Sequence, residues 1–277
     1  MKKKRSVTTA VLFAALFAGL SLLLYPTVSD CWNSFHQSRA IASYSQEVAS
    51  LNRTDYAAIW ASAQAYNESL ISRGGSVLTE SQKREYEDLL DTGGTGIMGQ
   101  IEIPCIDVSL PIYHGTDESV LQVAAGHLEW TSLPVGGESS HCVLSGHRGL
   151  PSAKLFTNLD RLTEGDVFLI RVLNEVLTYE VDQILIVEPE NIEPLQVVEG
   201  KDYCTLVTCT PYGINTHRLL VRGHRIENGQ AAFAAHITAD AIAVEPLTVV
   251  PILAIPLLLL FVALTVSRGG RKPKRNT

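Results

Sequence analysis

The chain has 277 residues, of which 46% are hydrophobic and 18% charged, and its formal net charge is −7 at pH 7. Lysine and arginine are clustered only at the two ends, so the acidic remainder argues against nucleic acid as a partner, because a phosphate-binding surface needs clustered cations. Nucleotide binding is not expected either, since the glycine run 93–96 lacks the Lys-Ser/Thr of a P-loop.

An apolar stretch lies close to the start of the chain. Val7 to Tyr25 carries no charge and follows the basic residues Lys2 to Arg5. Its length suits a helix that crosses a hydrocarbon layer, and the basic flank predicts a cytoplasmic N-terminus. A cleaved secretory signal is the alternative, but Pro26 to Asp30 offers no small-x-small cleavage site.

A second uncharged stretch, Leu247 to Val266, is interrupted only by Pro251 and Pro256 and is followed by five basic residues. Its basic flank also predicts a cytoplasmic end. With both ends inside, the stretch between the two spans is expected to lie outside the cell. The sequence therefore predicts a two-pass protein of the cell membrane with an acidic extracellular domain.

The segment from Cys31 to Asp91 shows apolar residues at helical spacing, for example Tyr56, Ile59 and Ala63, and is predicted to be helical. The run 72–76, Ser-Arg-Gly-Gly-Ser, interrupts this pattern. Thr79, with Gln82 three residues later, is typical of a capped helix start. Two helical pieces separated by a loop are expected.

After Gly96 the pattern changes to short apolar or alternating runs, which predict β-strands. The predicted strands are Met98–Ile103, Val108–Tyr113, Cys142–Ser145, Val167–Val172, Val176–Val187, Tyr203–Cys209 and Arg218–Ile226. Only a brief helical insert, Ser119–Ala125, separates them. Many short strands with Gly, Pro and Asp/Asn turns favour a closed barrel or a sandwich over a βαβ fold.

Five cysteines (31, 105, 142, 204 and 209) are present, and their odd number and uneven spacing do not indicate a disulfide framework. Cys105, Cys142 and Cys204 fit buried structural thiols, which is the commoner fate of a free cysteine in a strand. Cys209 differs because it ends a β-branched run just before Pro211, where a side chain can be held rigidly and still be reached. It is the candidate nucleophile.

A second strand follows Cys209 after a five-residue turn, 211–215, so a hairpin could bring a cation beside the thiol. By strand alternation, Arg218, Leu220 and Arg222 share one face, and Arg218 lies nearest the turn. Its guanidinium could stabilise an oxyanion and hold a thiolate. A solvated strand arginine is the alternative interpretation.

A cysteine nucleophile also needs an acid and base, for which histidine is the usual choice. His147 lies between glycines in the run 145–151, Ser-Gly-His-Arg-Gly-Leu-Pro, but the β region holds six histidines and spacing alone does not select one. Zinc is the rival use, but the Cys and His spacings match no usual ligand pattern. No metal is expected.

The run 205–209, Thr-Leu-Val-Thr-Cys, followed by 217–223, His-Arg-Leu-Leu-Val-Arg-Gly, resembles the catalytic Thr-Leu-x-Thr-Cys and arginine-strand signature of sortases. The resemblance extends backward through the runs 144–151, 126–128, 110–115 and 99–104. Together with two predicted membrane spans, these motifs are similar to those of class C, the sortases that polymerise pilins on Gram-positive cells. The family fold implies a closed eight-stranded β-barrel with N-terminal helices.

By motif, the resemblance implies that Cys209 is the nucleophile, His147 the general acid and base, and Arg218 the oxyanion or substrate-positioning cation. Cys209 would cleave an LPxTG-like sorting signal between Thr and Gly, giving an acyl-enzyme thioester. A pilin lysine amine would then attack the thioester and leave an isopeptide bond. No metal or organic cofactor is implied.

The sequence departs from class C at one place. Such enzymes usually carry an Asp-Pro-aromatic lid ahead of the barrel, whereas Ser72 to Gly96 contains no proline. A glycine-rich loop at Arg73 to Ser76 could cover the site, or the site could be open. Anchoring of surface proteins to cell-wall peptidoglycan, a cysteine peptidase that passes its acyl group to water, and a noncatalytic membrane-tethered assembly scaffold are the alternative functions.

The expected organisation along the chain follows from these patterns. It comprises a basic tail and first span at 1–29, a helical region at 30–95, the catalytic barrel at 96–228, a linker at 229–246, the second span at 247–266 and a basic tail at 267–277.

Overall fold

The computed structural model describes residues 2–73 and 78–228, with side chains described over 11–71 and 78–228. The helices are α1 (Lys2–Ser50), α2 (Arg53–Arg73), α3 (Glu80–Asp88) and the single turn α4 (Glu118–Leu121). The strands are β1 (Ile97–Ile103), β2 (Val108–His114), β3 (Ala125–His127), β4 (Ser140–Ser145), β5 (Val167–Val172), β6 (Glu175–Val187), β7 (Asp202–Thr210) and β8 (His217–Ile226).

The first part of α1 bears on the predicted anchor. Within the described residues, α1 is the one helix long and apolar enough to cross a membrane. Apolar side chains such as Leu12, Phe17 and Leu22 are exposed along it, as a lipid-facing segment requires. The helix does not end near the predicted boundary at residue 29 but continues to Ser50. The predicted linker 229–246, second span 247–266 and tail 267–277 lie outside the described residues.

The compact unit that begins at Asp30 contains a closed barrel of eight strands in the order β1-β2-β3-β4-β7-β8-β6-β5. Closure removes every free sheet edge. Of the two architectures that the strand pattern allowed, the barrel is confirmed. Most neighbouring strands are antiparallel, but β2–β3 and β4–β7 are parallel.

Side-chain alternation divides the barrel strands between two apolar surfaces. Leu144, Leu206 and Val221 point into the main core, whereas their neighbours Val143, Val207 and Leu220 form a smaller cluster on the outside with Leu195. Two faces are therefore apolar on β4, β7 and β8, where consecutive apolar residues occur at Cys142–Leu144, Leu206–Val207 and Leu219–Val221. The outer cluster forms the floor of the groove described below.

The strand predictions hold to within two residues at each end, with one omission. β3 has only three residues, too few to show any period, and it was missed. The predicted helical insert Ser119–Ala125 is correspondingly too long, because α4 ends at Leu121 and the chain enters β3 at Ala125. β3 pairs with β2 and β4 and is required for closure.

The predicted helical region packs against the barrel but contains three helical pieces rather than the expected two. The extra break lies at Leu51 and Asn52, where the Asn52 side chain accepts hydrogen bonds from the first N–H groups of α2. Ala63 and Tyr66 of α2 and Tyr86 of α3 belong to the main core. The predicted start of α3 is confirmed, since the backbone N–H of Thr79 donates to Gln82 Oε1 at 2.9 Å. Of the glycine-rich loop 73–76 proposed as a cover, residues 74–76 lie outside the described residues.

Tyr44 of α1 joins the helical region to the barrel through its hydroxyl. The N–H of Leu173 donates to Tyr44 Oη at 2.8 Å, and that hydroxyl donates to the carbonyl of Met98 at 3.1 Å. Met98 lies where the β1–β2 register shifts, so this carbonyl is close to a break in the ladder. Burial raises the pKa of Tyr44 to about 12, so it stays a neutral phenol that both donates and accepts.

We expect Tyr44→Phe to lower the free energy of unfolding by about 1–3 kcal/mol, because it leaves two buried backbone groups without their partner. Tyr56→Phe is the matched control: its hydroxyl donates to the Glu175 carboxylate near solvent, where water can replace it. Urea unfolding of both variants measures the difference. Equal losses in the two variants would contradict the assignment.

Candidate active site

The parallel pairing of β4 and β7 positions two of the predicted site residues. The register runs from Ser140 opposite Asp202 to Ser145 opposite Val207. His147 and Cys209 each lie two residues beyond that last pair, so both leave the same end of the barrel on neighbouring strands. Parallel strands that end together bring residues distant in sequence to one edge.

Two further hydrogen bonds extend the contact between these strands just below the candidate pair. The N–H of Gly146 donates to the carbonyl of Val207 at 3.1 Å, and the buried Thr208 hydroxyl donates to the carbonyl of Gly146 at 2.7 Å. Gly146 cannot carry a side chain here, because an added Cβ would lie 2.7 Å from the Phe156 ring. The chain before His147 is therefore tightly packed.

The hairpin predicted between Cys209 and Arg218 is present. The two residues are direct partners in the antiparallel β7–β8 register. Arg218 Nη1 donates to the carbonyls of Asn215 and His217 at 3.3 and 3.2 Å, which holds the guanidinium beside the turn. Neither contact neutralises its charge, so the cation stays available to an anionic group.

Arg222, four residues further along the same face, has different partners. Its guanidinium forms two hydrogen bonds to the Asp182 carboxylate, at 2.9 and 3.0 Å, and its central carbon lies 4.2 Å from the centre of the Tyr203 ring. A cation already paired with a carboxylate is a poor partner for an oxyanion. The geometry therefore favours Arg218 over Arg222, as the motif implied.

Tertiary structure separates the six histidines that spacing alone left undivided. His127 and His141 are buried and make hydrogen bonds within the core, and His114 bonds to the carbonyls of Gly96 and Leu89. His217 contacts Thr216, and His224 lies near the opposite end of β8. His217 is also partly exposed and pairs with Thr210, but strand alternation places it on the opposite face of β8 from Arg218. His147 has 27% of its side chain exposed and lies two residues beyond the last β4–β7 pair, next to the strand that carries Cys209.

Glu118 was not identified from the sequence but contacts the candidate histidine. Its Oε2 lies 3.4 Å from His147 Nε2. Hydrogen bonds from Gln122 and then from His147 lower the pKa of this exposed carboxyl. The residue comes from α4, 29 positions away, and no local motif marks it. Only the folding of α4 over the strand ends brings it here.

A groove starts at Arg218 and runs over the outer apolar cluster. It encloses about 340 Å³ between the outer faces of β4, β7 and β8 and the segment that follows β6. Its lining includes Leu128, Val187, Ile192, Leu195, Val207 and Leu220. An apolar floor that leads to a cation suits an extended peptide with a reacting carbonyl at one end.

A second hollow of about 400 Å³ adjoins this groove, since Trp130 and Leu195 line both. His141 lies in its wall, where Nδ1 lies 2.9 Å from the carbonyl of Gln196 and Nε2 lies 2.7 Å from the Thr205 hydroxyl. Burial lowers the pKa of His141, although the hydrogen bond to Gln196 opposes this effect. The neutral imidazole satisfies both contacts if Nδ1 donates and Nε2 accepts.

We expect His141 to make the protein less stable in acid. Its folded pKa lies below the unfolded value of about 6.5, so its contribution is complete above that pH and is lost as pH falls below it. His141→Asn, which does not titrate, should reduce the slope of unfolding free energy against pH by up to about 1.4 kcal/mol per pH unit. The exposed His36→Asn serves as the control, and an equal change there would refute the assignment.

The five cysteines lie in different environments, and none is disulfide-bonded. Cys142 and Cys204 are buried as predicted, while Cys105 is only half-buried, and burial raises its pKa to about 11. Cys209 is partly exposed. No cluster of three or more His, Cys, Asp or Glu side chains that could hold a metal occurs in the part of the chain that the structure describes.

We expect a small alkylating reagent to modify Cys209 and Cys31 in the folded protein and to reach Cys142 and Cys204 only after unfolding. Accessible thiols react while buried thiols are inert. Peptide mass spectrometry after brief iodoacetamide treatment, with and without urea, measures each site. Modification of Cys204 at the rate of Cys209 in the native protein would contradict the burial pattern.

The comparisons with known proteins all point to the same family. A family model of the sortase domain matches residues 101–226. The chain is 51% identical to the crystal structure of sortase C1 from Streptococcus agalactiae, with a TM-score of 0.67, covering 69% of this chain and 99% of that one. Sortase C of Streptococcus pneumoniae is 46% identical with a TM-score of 0.62, and the match covers 68% of this chain and 97% of that one. Sortase A of Streptococcus agalactiae is 30% identical over 141 residues, half of this chain and 56% of that protein.

Proposed function

The chain belongs to the sortase family of cysteine transpeptidases, and from this premise we propose that it is a class C enzyme that joins pilin subunits through isopeptide bonds. The geometry that carries the proposal is the meeting of three groups at one end of the barrel. Cys209 faces Arg218 across the β7–β8 hairpin, and His147 ends the neighbouring strand. A nucleophile, a cation and an imidazole are the groups that acyl transfer requires.

In the first half of the reaction, Cys209 attacks the carbonyl of the threonine in an LPxTG-like sorting signal. The C–N bond to glycine breaks, and His147 donates a proton to the departing amine. The guanidinium of Arg218 stabilises the oxyanion of the tetrahedral intermediate. The threonyl group stays bound to Cys209 as a thioester.

In the second half, a lysine ε-amine of the next pilin attacks the thioester. His147 takes a proton from that amine, the C–S bond breaks, and Cys209 leaves as a thiolate. The product is an isopeptide bond between two subunits. Neither half requires a metal or an organic cofactor.

The groove beside Arg218 supports a peptide substrate of this kind. Leu195, Val207 and Leu220 offer an apolar surface for the leucine and proline of the signal, and Arg218 lies where the threonine carbonyl would arrive. Such burial is worth about 25 cal/mol for each Å² of apolar surface. The signal would therefore bind with its scissile bond at the Cys209 end.

Two of the similar structures concern pilin chemistry. The pneumococcal sortase C was described for catalysis and pilin substrate specificity, and another similar structure is the sortase C1 of a pilus island, 43% identical over 69% of this chain. Three curated sortase A proteins are 28–30% identical to this chain, whereas the sortase A structure from Corynebacterium diphtheriae is 40% identical over 64% of it. Support for pilus assembly over wall anchoring therefore comes from the two similar enzymes that are described in terms of pilins or a pilus island.

The membrane arrangement belongs to the same proposal. The apolar part of α1 would anchor the protein, and the stretch 247–266 would cross the membrane a second time, with the barrel outside the cell. Residues 30–95 would brace the barrel 96–228, with 229–246 as the link to the second span. A product that is covalently assembled at the cell surface requires an extracellular active site.

Incubation of the purified protein with a pilin that carries an LPxTG-like signal tests the proposal. We expect ladders that survive boiling and reductant, with a Thr–Lys isopeptide bond detected by mass spectrometry. Cys209→Ala should form none, because the thioester cannot form. Cleavage without ladders, even when the pilin lysine is present, would indicate hydrolysis or an amine acceptor from peptidoglycan and would overturn pilin polymerisation.

Arg218 provides a graded test. Arg218→Ala should lower kcat by about 100- to 1000-fold, the usual loss when an oxyanion contact is removed. Arg222→Ala should reduce turnover far less and should mainly lower stability, because its guanidinium is already paired with Asp182. Steady-state kinetics with a fluorogenic LPxTG-like peptide, together with thermal unfolding, compares the two. Equal kcat losses would remove Arg218 from its proposed role.

A further inference from the structure

Arg148 directly follows His147, and its side chain is only 9% exposed. A buried guanidinium is costly unless it is paired and hydrogen-bonded. Part of that cost stays uncompensated, since Nε of Arg148 is buried with no hydrogen-bond partner. The nearly buried position of this charge calls for an explanation.

The contacts of Arg148 join three segments. Nη2 pairs with the carboxylate of Asp160, in the connection between β4 and β5. Nη1 donates to the hydroxyl of Thr210 at 3.3 Å, and Thr210 directly follows Cys209. The guanidinium carbon also lies 5.9 Å from the centre of the ring of Tyr212, in the β7–β8 turn.

We propose that Arg148 is a positioning residue for the transpeptidation reaction, which fixes His147 relative to Cys209 by tying the residue after each of them together. The inference rests on the proposed function, because it assigns Arg148 a role through those two groups. It adds a residue to that reaction without placing it in contact with the substrate.

The end of the β4–β7 ladder explains why such a tie is required. Regular pairing stops at Ser145 and Val207, and the Thr208–Gly146 hydrogen bond is the last contact below the candidate pair. His147 and Cys209 both lie beyond this ladder, and Cys209 is held in register only from its other side, by its pairing with Arg218 in β8. The Arg148–Thr210 hydrogen bond adds a contact between the two segments just after His147 and Cys209. The pair therefore has one such contact before it and one after it.

The backbone around Arg148 is held by close packing and by hydrogen bonds. Gly149 has a φ of +79°, and a Cβ added there would lie 2.9 Å from the Tyr212 ring, so the two loops approach closely. The carbonyl of His147 accepts a hydrogen bond from the N–H of Phe156, and the N–H of Gly149 donates to the Thr157 hydroxyl. These bonds fix the backbone on which Arg148 and His147 are carried.

Arginine suits this task better than lysine. Its planar fork reaches two acceptors from one rigid group, here a carboxylate and a hydroxyl on separate segments. An ammonium group has no such fixed separation between donors. Loss of positioning is costly in rate, because a misplacement of about 1 Å can reduce turnover by about 100-fold.

The test uses the full-length protein in detergent and the variants Arg148→Met, Arg148→Lys and Asp160→Asn. Arg171→Met is the matched control, because it removes another arginine–carboxylate pair, with Glu102, on the β1–β5 surface. Each variant is measured for kcat and KM with an LPxTG-like peptide and for melting temperature. The rate of iodoacetamide modification of Cys209 is measured at about pH 7, with Cys31 in the same molecule as an internal reference.

We expect Arg148→Met to lower kcat by about 10- to 100-fold while KM changes by less than about threefold. Arg148→Lys should recover little of this loss, and Asp160→Asn should lie between the two. In a His147→Ala background, Arg148→Met should cause almost no further loss, because the group that it positions is already absent. Arg171→Met should leave kcat unchanged.

Three results would overturn the inference: the same kcat loss with and without His147, full recovery in Arg148→Lys, or a kcat loss that follows melting temperature across all variants. The alkylation arm needs no substrate and separates this inference from the proposed function. If the unmodified protein transfers no acyl group, the proposed function fails. The positioning role then stands if Arg148→Met alters Cys209 alkylation only when His147 is present, and falls if it does not.

Discussion

The in-register parallel pairing of β4 with β7 is the constraint on which the site depends. It aligns two strands that are about sixty residues apart in the chain, and the candidate base and nucleophile each lie two residues beyond the last pair, Ser145 and Val207. The β7–β8 hairpin then sets the cation opposite the thiol by its own register. A slip of one residue in either pairing would turn the side chains to the opposite face and separate the three groups.

The same three strands also make the groove. Because β4, β7 and β8 are apolar on both faces, they supply the barrel core and the groove floor together, with Val207 and Leu220 outside and Leu206 and Val221 inside. Rigidity of the groove is therefore a consequence of core packing. The helices add to this packing, because Tyr44 and Tyr86 are buried in the same core.

The charged side chains around the candidate site differ in their partners. Arg222 and Arg148 are committed to carboxylates, whereas Arg218 meets only carbonyl oxygens and keeps its charge available. Glu118 approaches His147 from the solvent side, where water weakens the interaction, so it leaves the imidazole free to exchange protons. Paired cations stabilise the framework, and the cation without a carboxylate partner is the one suited to bind an oxyanion.

The sequence by itself determined the local features, because these depend on neighbours along the chain. Strand alternation, the five-residue turn and the Thr-Leu-Val-Thr-Cys motif were enough to predict the hairpin, the face shared by Arg218 and Arg222 and the family. The apolar stretch at the start and the cap at Thr79 were visible for the same reason. Spacing selected none of the six histidines, and the motif resemblance pointed to His147. Tertiary structure added that the β4–β7 pairing brings this residue to the strand end next to Cys209. It also decided the contacts of Glu118 and Arg148 and the three-residue strand β3, which leave no periodic or motif signal because their partners are distant in sequence.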